Sequence, residues 1–191
     1  MSAYSIVLFL HLVGPLGIFG AFALEWASIH KLRHATTLAQ ARDWLRLGGS
    51  IRQLGVPSML TVLVTGIIMG ASRWGMQGWI GVALLAMVAI AVLGGAVSGR
   101  RVRDIARALP HGDGLVPAEL AEKLRDPALV VSGWVRTALG LGIVFIMTNK
   151  PSTGVAFAEM GAAAVIGLLA GSAPWRRGRR LELVEPERSD A

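Results

Sequence analysis

The 191-residue sequence contains no cysteine, so disulfides, thiolate metal centres and cysteine nucleophiles are all excluded. It is also poor in charge. Asp, Glu, Lys and Arg make up 16% of the chain, against about a quarter of an average soluble domain, while 53% of the residues are hydrophobic. Three stretches hold none of these four residues: Met1 to Leu24, Gln53 to Ser72 and Met76 to Gly99. A water-soluble domain would leave too much of that apolar surface wet. Each run reaches the roughly 20 residues that cross a hydrocarbon core of about 30 Å at 1.5 Å per residue.

Two further segments are hydrophobic with a single ionisable group each: Pro127 to Asn149 with Arg136, and Pro151 to Trp175 with Glu159. The Thr148-Asn149-Lys150-Pro151-Ser152-Thr153-Gly154 stretch between them is a turn signal. The reading is an all-α, polytopic membrane helix bundle forming one domain over 1–175. Its five transmembrane helices are expected over roughly 4–29, 53–72, 77–99, 128–148 and 154–174. A tail over 176–191, basic then acidic, follows.

Orientation follows from the basic residues. Sixteen of the 19 Lys and Arg lie in the 30–52 connection, the 100–127 connection and the tail, which five spans put on one side. The positive-inside rule makes that side cytoplasmic and places the N-terminus outside. Ala21-Phe22-Ala23 resembles a signal cleavage site, yet no Lys or Arg precedes the apolar run. The basic region of a signal peptide is therefore missing, and the first segment is expected to be a membrane helix. The runs Arg100-Arg101-Val102-Arg103 and Arg176-Arg177-Gly178-Arg179-Arg180 each follow a membrane exit. Attraction to anionic lipid headgroups at the cytoplasmic face explains them without a nucleic-acid partner.

The connections are too short to be domains and hold no catalytic or phosphate-binding pattern. Between Ile29 and Leu47, apolar Leu32, Leu38, Trp44 and Leu45 alternate with Lys31, Arg33, Arg42 and Arg46, which predicts a helical extension of the first span at the interface. Gly48-Gly49-Ser50 is expected to break it. Glu119 and Lys123, at i,i+4 after Pro117, suit a short solvated helix. Small-xxx-small patterns at Gly66 to Gly70, Gly95 to Gly99 and Gly167 to Gly171 support close helix packing.

Any chemistry must come from the few polar groups in the spans, where ionisable residues are costly. His11 is the only histidine inside a span; Pro15, four residues on, frees the His11 carbonyl from its helical donor. Along the first helix His11, Pro15, Ile18, Phe22 and Glu25 share one face. His11 and Glu159 both lie roughly 10 Å below the outer surface, so the two can be partners. Arg136, about 12 Å above the inner boundary, can reach Glu25 or Glu159. An Arg136–Glu25 structural ion pair is the preferred reading. Met69, Met76, Met147 and Met160 offer soft copper ligands, with apolar packing the plainer explanation.

Leu10-His11-Leu12 followed by Gly14-Pro15-Leu16-Gly17-Ile18-Phe19-Gly20 resembles the first helix of small bacterial membrane proteins near the CopD copper-resistance and HemJ-type protoporphyrinogen oxidase group. Met147-Thr148-Asn149-Lys150-Pro151 resembles a Met-x-x-Lys-Pro turn in an uncharacterised family of integral membrane proteins of that neighbourhood. The resemblance implies the bacterial inner membrane and a haem b site, with His11 the ligand to the iron and hence the tentative metal residue. Phe19 stands where those proteins often carry tryptophan, and no second intramembrane histidine is present. That leaves a five-coordinate iron, a non-histidine second ligand, or His11 from two protomers of a homo-oligomer. Two functions stay open. One is a haem-binding, redox-linked or proton-transferring protein with its site at His11 and Glu159. The other is a non-enzymatic accessory or transport-related bundle, or a partner in a membrane complex, whose buried polar residues are structural.

Overall fold

The computed structural model describes residues 2–75 and 77–184, and these are helical almost throughout. The helices are α1 (Ala3–Arg33), α2 (Leu38–Met69), α3 (Gly78–Val92), α4 (Gly99–Ala108), α5 (Ala118–Leu124), α6 (Pro127–Asn149) and α7 (Thr153–Val184). A π-helical stretch, Leu93–Ser98, joins α3 to α4 as one rod, and another, Gly70–Trp74, ends α2. Five segments are long and apolar enough to cross a membrane: Ala3–Arg33, Leu38–Ser72, Gly78–Ala108, Ala118–Asn149 and Thr153–Ala173. Their outward faces are hydrophobic at mid-helix. Leu12 and Phe9 are each 62% exposed, Leu16 72% and Ile166 62%, an arrangement that suits lipid and not water.

Local chemistry sets the ends. The Ser2 side chain accepts from the Ser5 amide at the start of α1, and Thr37 accepts from the Gln40 amide at the start of α2. Asp126 accepts from the Ala128 amide at 2.8 Å, with Pro127 at the first helical position of α6. At the other end of α6, Lys150 adopts a left-handed conformation with φ 50°, its amide bonded to the Ile146 carbonyl, and Pro151 prevents continuation. The turn read from Asn149-Lys150-Pro151 is therefore a helix stop built by backbone geometry.

The first connection corrects the sequence reading. Residues 38–52 belong to α2, which runs unbroken through Gly48-Gly49-Ser50, and the chain turns instead at 34–37. Two glycines in a helix cost about 2 kcal/mol. The Thr37 cap and the burial of Leu38 and Ala41 offset that cost.

Two apolar cores result. The larger lies between α1, α2, α3, α6 and α7, around Phe22, Val62, Ala83, Met87, Leu139, Ile143 and Ile146. Within it α6 is the hub. Gly167 and Gly171 bring α7 onto the α6 backbone, where an added Cβ would stand 2.6 Å from Val135 Cα and 2.7 Å from Val131 Cα respectively. The second core caps the end of the bundle that carries the basic connections. Ile29 and Leu32 of α1, Leu38 and Ala41 of α2, Ile105 of α4, Leu120 and Leu124 of α5 and Leu129 of α6 meet there. The two connections clasp each other: the Leu38 amide donates to the Gly114 carbonyl (2.9 Å), the Val116 amide to the Thr36 carbonyl (3.0 Å), and Arg42 Nη2 to the Gly112 carbonyl (2.7 Å). The α5 segment is accordingly half buried by this cap, not solvated on all sides.

Candidate functional site

Three polar sites lie within the spans, on different helix pairs. The first is at His11. Its Nδ1 stands 3.0 Å from Thr65 Oγ1 on α2, and the ring is half-buried. Gly66 makes the room: a Cβ there would come within 3.2 Å of His11 Cε1. The small-xxx-small pattern at Gly66 thus receives an imidazole on this chain's own first helix.

The tautomer of that ring follows from the hydroxyl. Thr65 donates its single proton to the Thr61 carbonyl at 2.5 Å, with the Val62 carbonyl at 3.3 Å. Toward His11 it can only accept, so Nδ1 carries the ring proton and Nε2 holds the lone pair. The Val62 backbone carbonyl also faces the ring and can only accept, so it shares the ring N–H with Thr65, and the lone pair of the neutral ring's other nitrogen is the group left as a ligand or proton acceptor.

The second site joins α1, the π-helical stretch and α6. Arg136, buried to 6% exposure, donates through Nη2 to Glu25 Oε1 (2.5 Å) and Ser98 Oγ (3.3 Å), and through Nε to the Ser132 carbonyl (3.3 Å). Ser98 and Ser132 bond to each other at 3.1 Å, and Ser132 lies 3.3 Å from the Leu93 carbonyl. Through these two bonds Ser132 of α6 is tied to the π-helical stretch. A Cβ at Gly94 would stand 3.2 Å from Arg136 Nη1, so glycine in the stretch admits the guanidinium. Phe22 lies with its ring centroid 5.7 Å from Arg136 Cζ. Beside the pair, Trp26 donates to Thr137 Oγ1 at 3.3 Å and meets Trp134 edge-on.

Glu159 forms the third. Its Oε1 accepts from Asn149 Nδ2 at 2.8 Å, and Oε2 is buried with no hydrogen-bond partner. The structure therefore brings Arg136 and Glu25 together, and joins His11 to Thr65 and Glu159 to Asn149. No hydrogen bond joins His11 to Glu159. The cause is helix pairing: α1 packs along α2 and bonds to α6 at Glu25 and Trp26, nearer the basic connections, whereas α7 packs along α6 and α3. Of the methionines, Met160 is buried in the main core and Met147 packs against it, while Met76 lies outside the described residues.

Thr65, Ser98 and Ser132 were not singled out in the sequence. The signal was slight, since a Ser or Thr that bonds back to its own helix is unremarkable in a membrane span. A cavity of about 50 Å³ lies between Pro15, Ile18 and Phe19 of α1, Met59 and Val62 of α2, Met87 and Ile90 of α3, and Gly140, Ile143 and Val144 of α6. It is apolar, and His11 is not in its wall. Ligand pockets run from about 300 Å³. This cavity is well below that size, so the room beside Pro15 is not by itself a haem slot. Among the described residues no three or more His, Asp or Glu gather as a metal site. The chain matches no protein-family model, no curated protein and no solved structure.

Proposed function

We propose that this chain is a multi-pass protein of the bacterial inner membrane, N-terminus outside and C-terminus in the cytoplasm, whose working group is the imidazole of His11. One observation carries the reading. Thr65 commits its proton to the Thr61 carbonyl, so Thr65, like the Val62 carbonyl, acts on His11 as an acceptor, and the lone pair of the neutral ring is left for Nε2. A neutral imidazole so oriented accepts a proton from, or ligates, a group that reaches it within the membrane. In the haem form of this reading His11 is the iron ligand, the iron being five-coordinate, held by a non-histidine second ligand, or shared by His11 of two protomers.

The second reading, a non-enzymatic accessory or transport-related bundle, is favoured by the other polar groups. Arg136, Glu25, Ser98, Ser132, Trp26 and Thr137 are all engaged in bonds between helices. Titrating the purified protein with haem b and following the Soret band separates the two. A band lost in a folded His11→Ala variant supports ligation. In its absence, proton uptake by the His11 ring between about pH 5 and 8 supports the proton-accepting form. If neither appears, the accessory reading stands.

A further inference from the structure

At the basic end of α1, His30 in the last turn and His34 at the C-cap form one exposed stripe, spaced i,i+4. Their ring centroids are 4.7 Å apart. His34 Nδ1 lies 2.8 Å from the His30 carbonyl oxygen, which can only accept, so Nδ1 carries the hydrogen and the neutral ring turns its Nε2 lone pair outward. A backbone carbonyl bonded to the far nitrogen is the arrangement that orients metal-binding imidazoles. His30 makes no hydrogen bond through its ring among the described residues and is free to swing. Two imidazoles one turn apart can reach one ion at the roughly 2.0–2.1 Å of a metal–nitrogen bond. The C-terminal end of a long helix also favours a cation.

We infer that His30 and His34 form a two-imidazole chelate for a divalent late first-row transition metal, Ni²⁺, Cu²⁺ or Zn²⁺, at the membrane face opposite His11. Imidazole suits these ions, whereas Mg²⁺ and Ca²⁺ demand oxygen ligands. Among the described residues no third His, Asp or Glu completes the set. The remaining positions belong to water, which makes the site open and exchangeable. Lys31 and Arg33, of like charge beside it, weaken it further. The site is independent of His11 and of the function proposed for it.

The test uses the full chain in detergent, without an affinity tag, in competition with a chromophoric chelator for Ni²⁺ and Zn²⁺. Expected is one ion per chain, with affinity falling at least about tenfold in His30→Ala and in His34→Ala. It should be unchanged in His111→Ala. Moving the second ring by one residue, in a His34→Ala, Ala35→His variant, takes it off the stripe and should not restore binding. Helix content measured by circular dichroism shows that each variant is folded. Absence of binding in the unsubstituted chain, binding that survives loss of both rings, or recovery in the shifted variant would each overturn the chelate.

Discussion

Arg136→Leu is the perturbation with the largest effect expected from a single side chain. Arg136 has 7% of its side-chain surface exposed and Glu25 20%, and the two are bonded through Nη2 and Oε1. Removing the guanidinium leaves Glu25 without its cation, and leaves Ser98 without one of its donors. Breaking a buried pair from one side costs about 3–5 kcal/mol. The lower end applies because Glu25 keeps part of its surface open, giving about 3 kcal/mol. Replacing both residues with apolar ones removes the uncompensated charge, so Glu25→Leu with Arg136→Leu should return to within about 1 kcal/mol of the parent. Unfolding by SDS titration from mixed micelles, followed by circular dichroism, gives the cycle. A coupling of about 2 kcal/mol or more is expected between Arg136 and Glu25, and about zero between Arg136 and Glu159. Additive effects of Arg136→Leu and Glu25→Leu, or coupling to Glu159 instead, would refute the reasoning.

Other outcomes follow from particular contacts. Gly167→Leu should lower the same unfolding midpoint sharply, since even a Cβ meets Val135 Cα at 2.6 Å, whereas Gly161→Ala, in open space, should be neutral. At Lys150, held at φ 50°, glycine should be tolerated and valine should cost about 1–2 kcal/mol, read by thermal unfolding. A reporter fused after Ala191 should be active only in its cytoplasmic form, and one inserted between residues 73 and 77 only in its external form; the reverse pattern would overturn the proposed orientation.

The spans were legible because long charge-free runs have few alternatives. Arg136 and Glu25 were legible as candidates because opposite charges are rare inside the spans, although the sequence left Glu159 as a rival that only helix pairing decides. Equal depth misled at His11 and Glu159, since depth along a helix says nothing of which helix is its neighbour. The start of α2 was missed because Gly48-Gly49 is a strong local breaker, while the burial that overrides it comes from elsewhere in the fold. The cap over the basic end was invisible for the same reason. It depends on residues 36–38 meeting 114–116, which no local pattern announces. Thr65 escaped because its hydroxyl bonds to its own helix, so nothing in the sequence marks it as the anchor of His11.

The protonation of the His11 ring is the most direct test of the role given to it. In ¹⁵N-histidine-labelled protein reconstituted in lipid at neutral pH, the His11 signal, assigned by its loss in His11→Ala, should show a protonated Nδ1 and an unprotonated Nε2. Thr65→Val should change that pattern, because it removes the acceptor 3.0 Å from Nδ1. A ring protonated at Nε2 alone, or one indifferent to Thr65→Val, would contradict the reading of His11 as an imidazole anchored by Thr65 with its working nitrogen free.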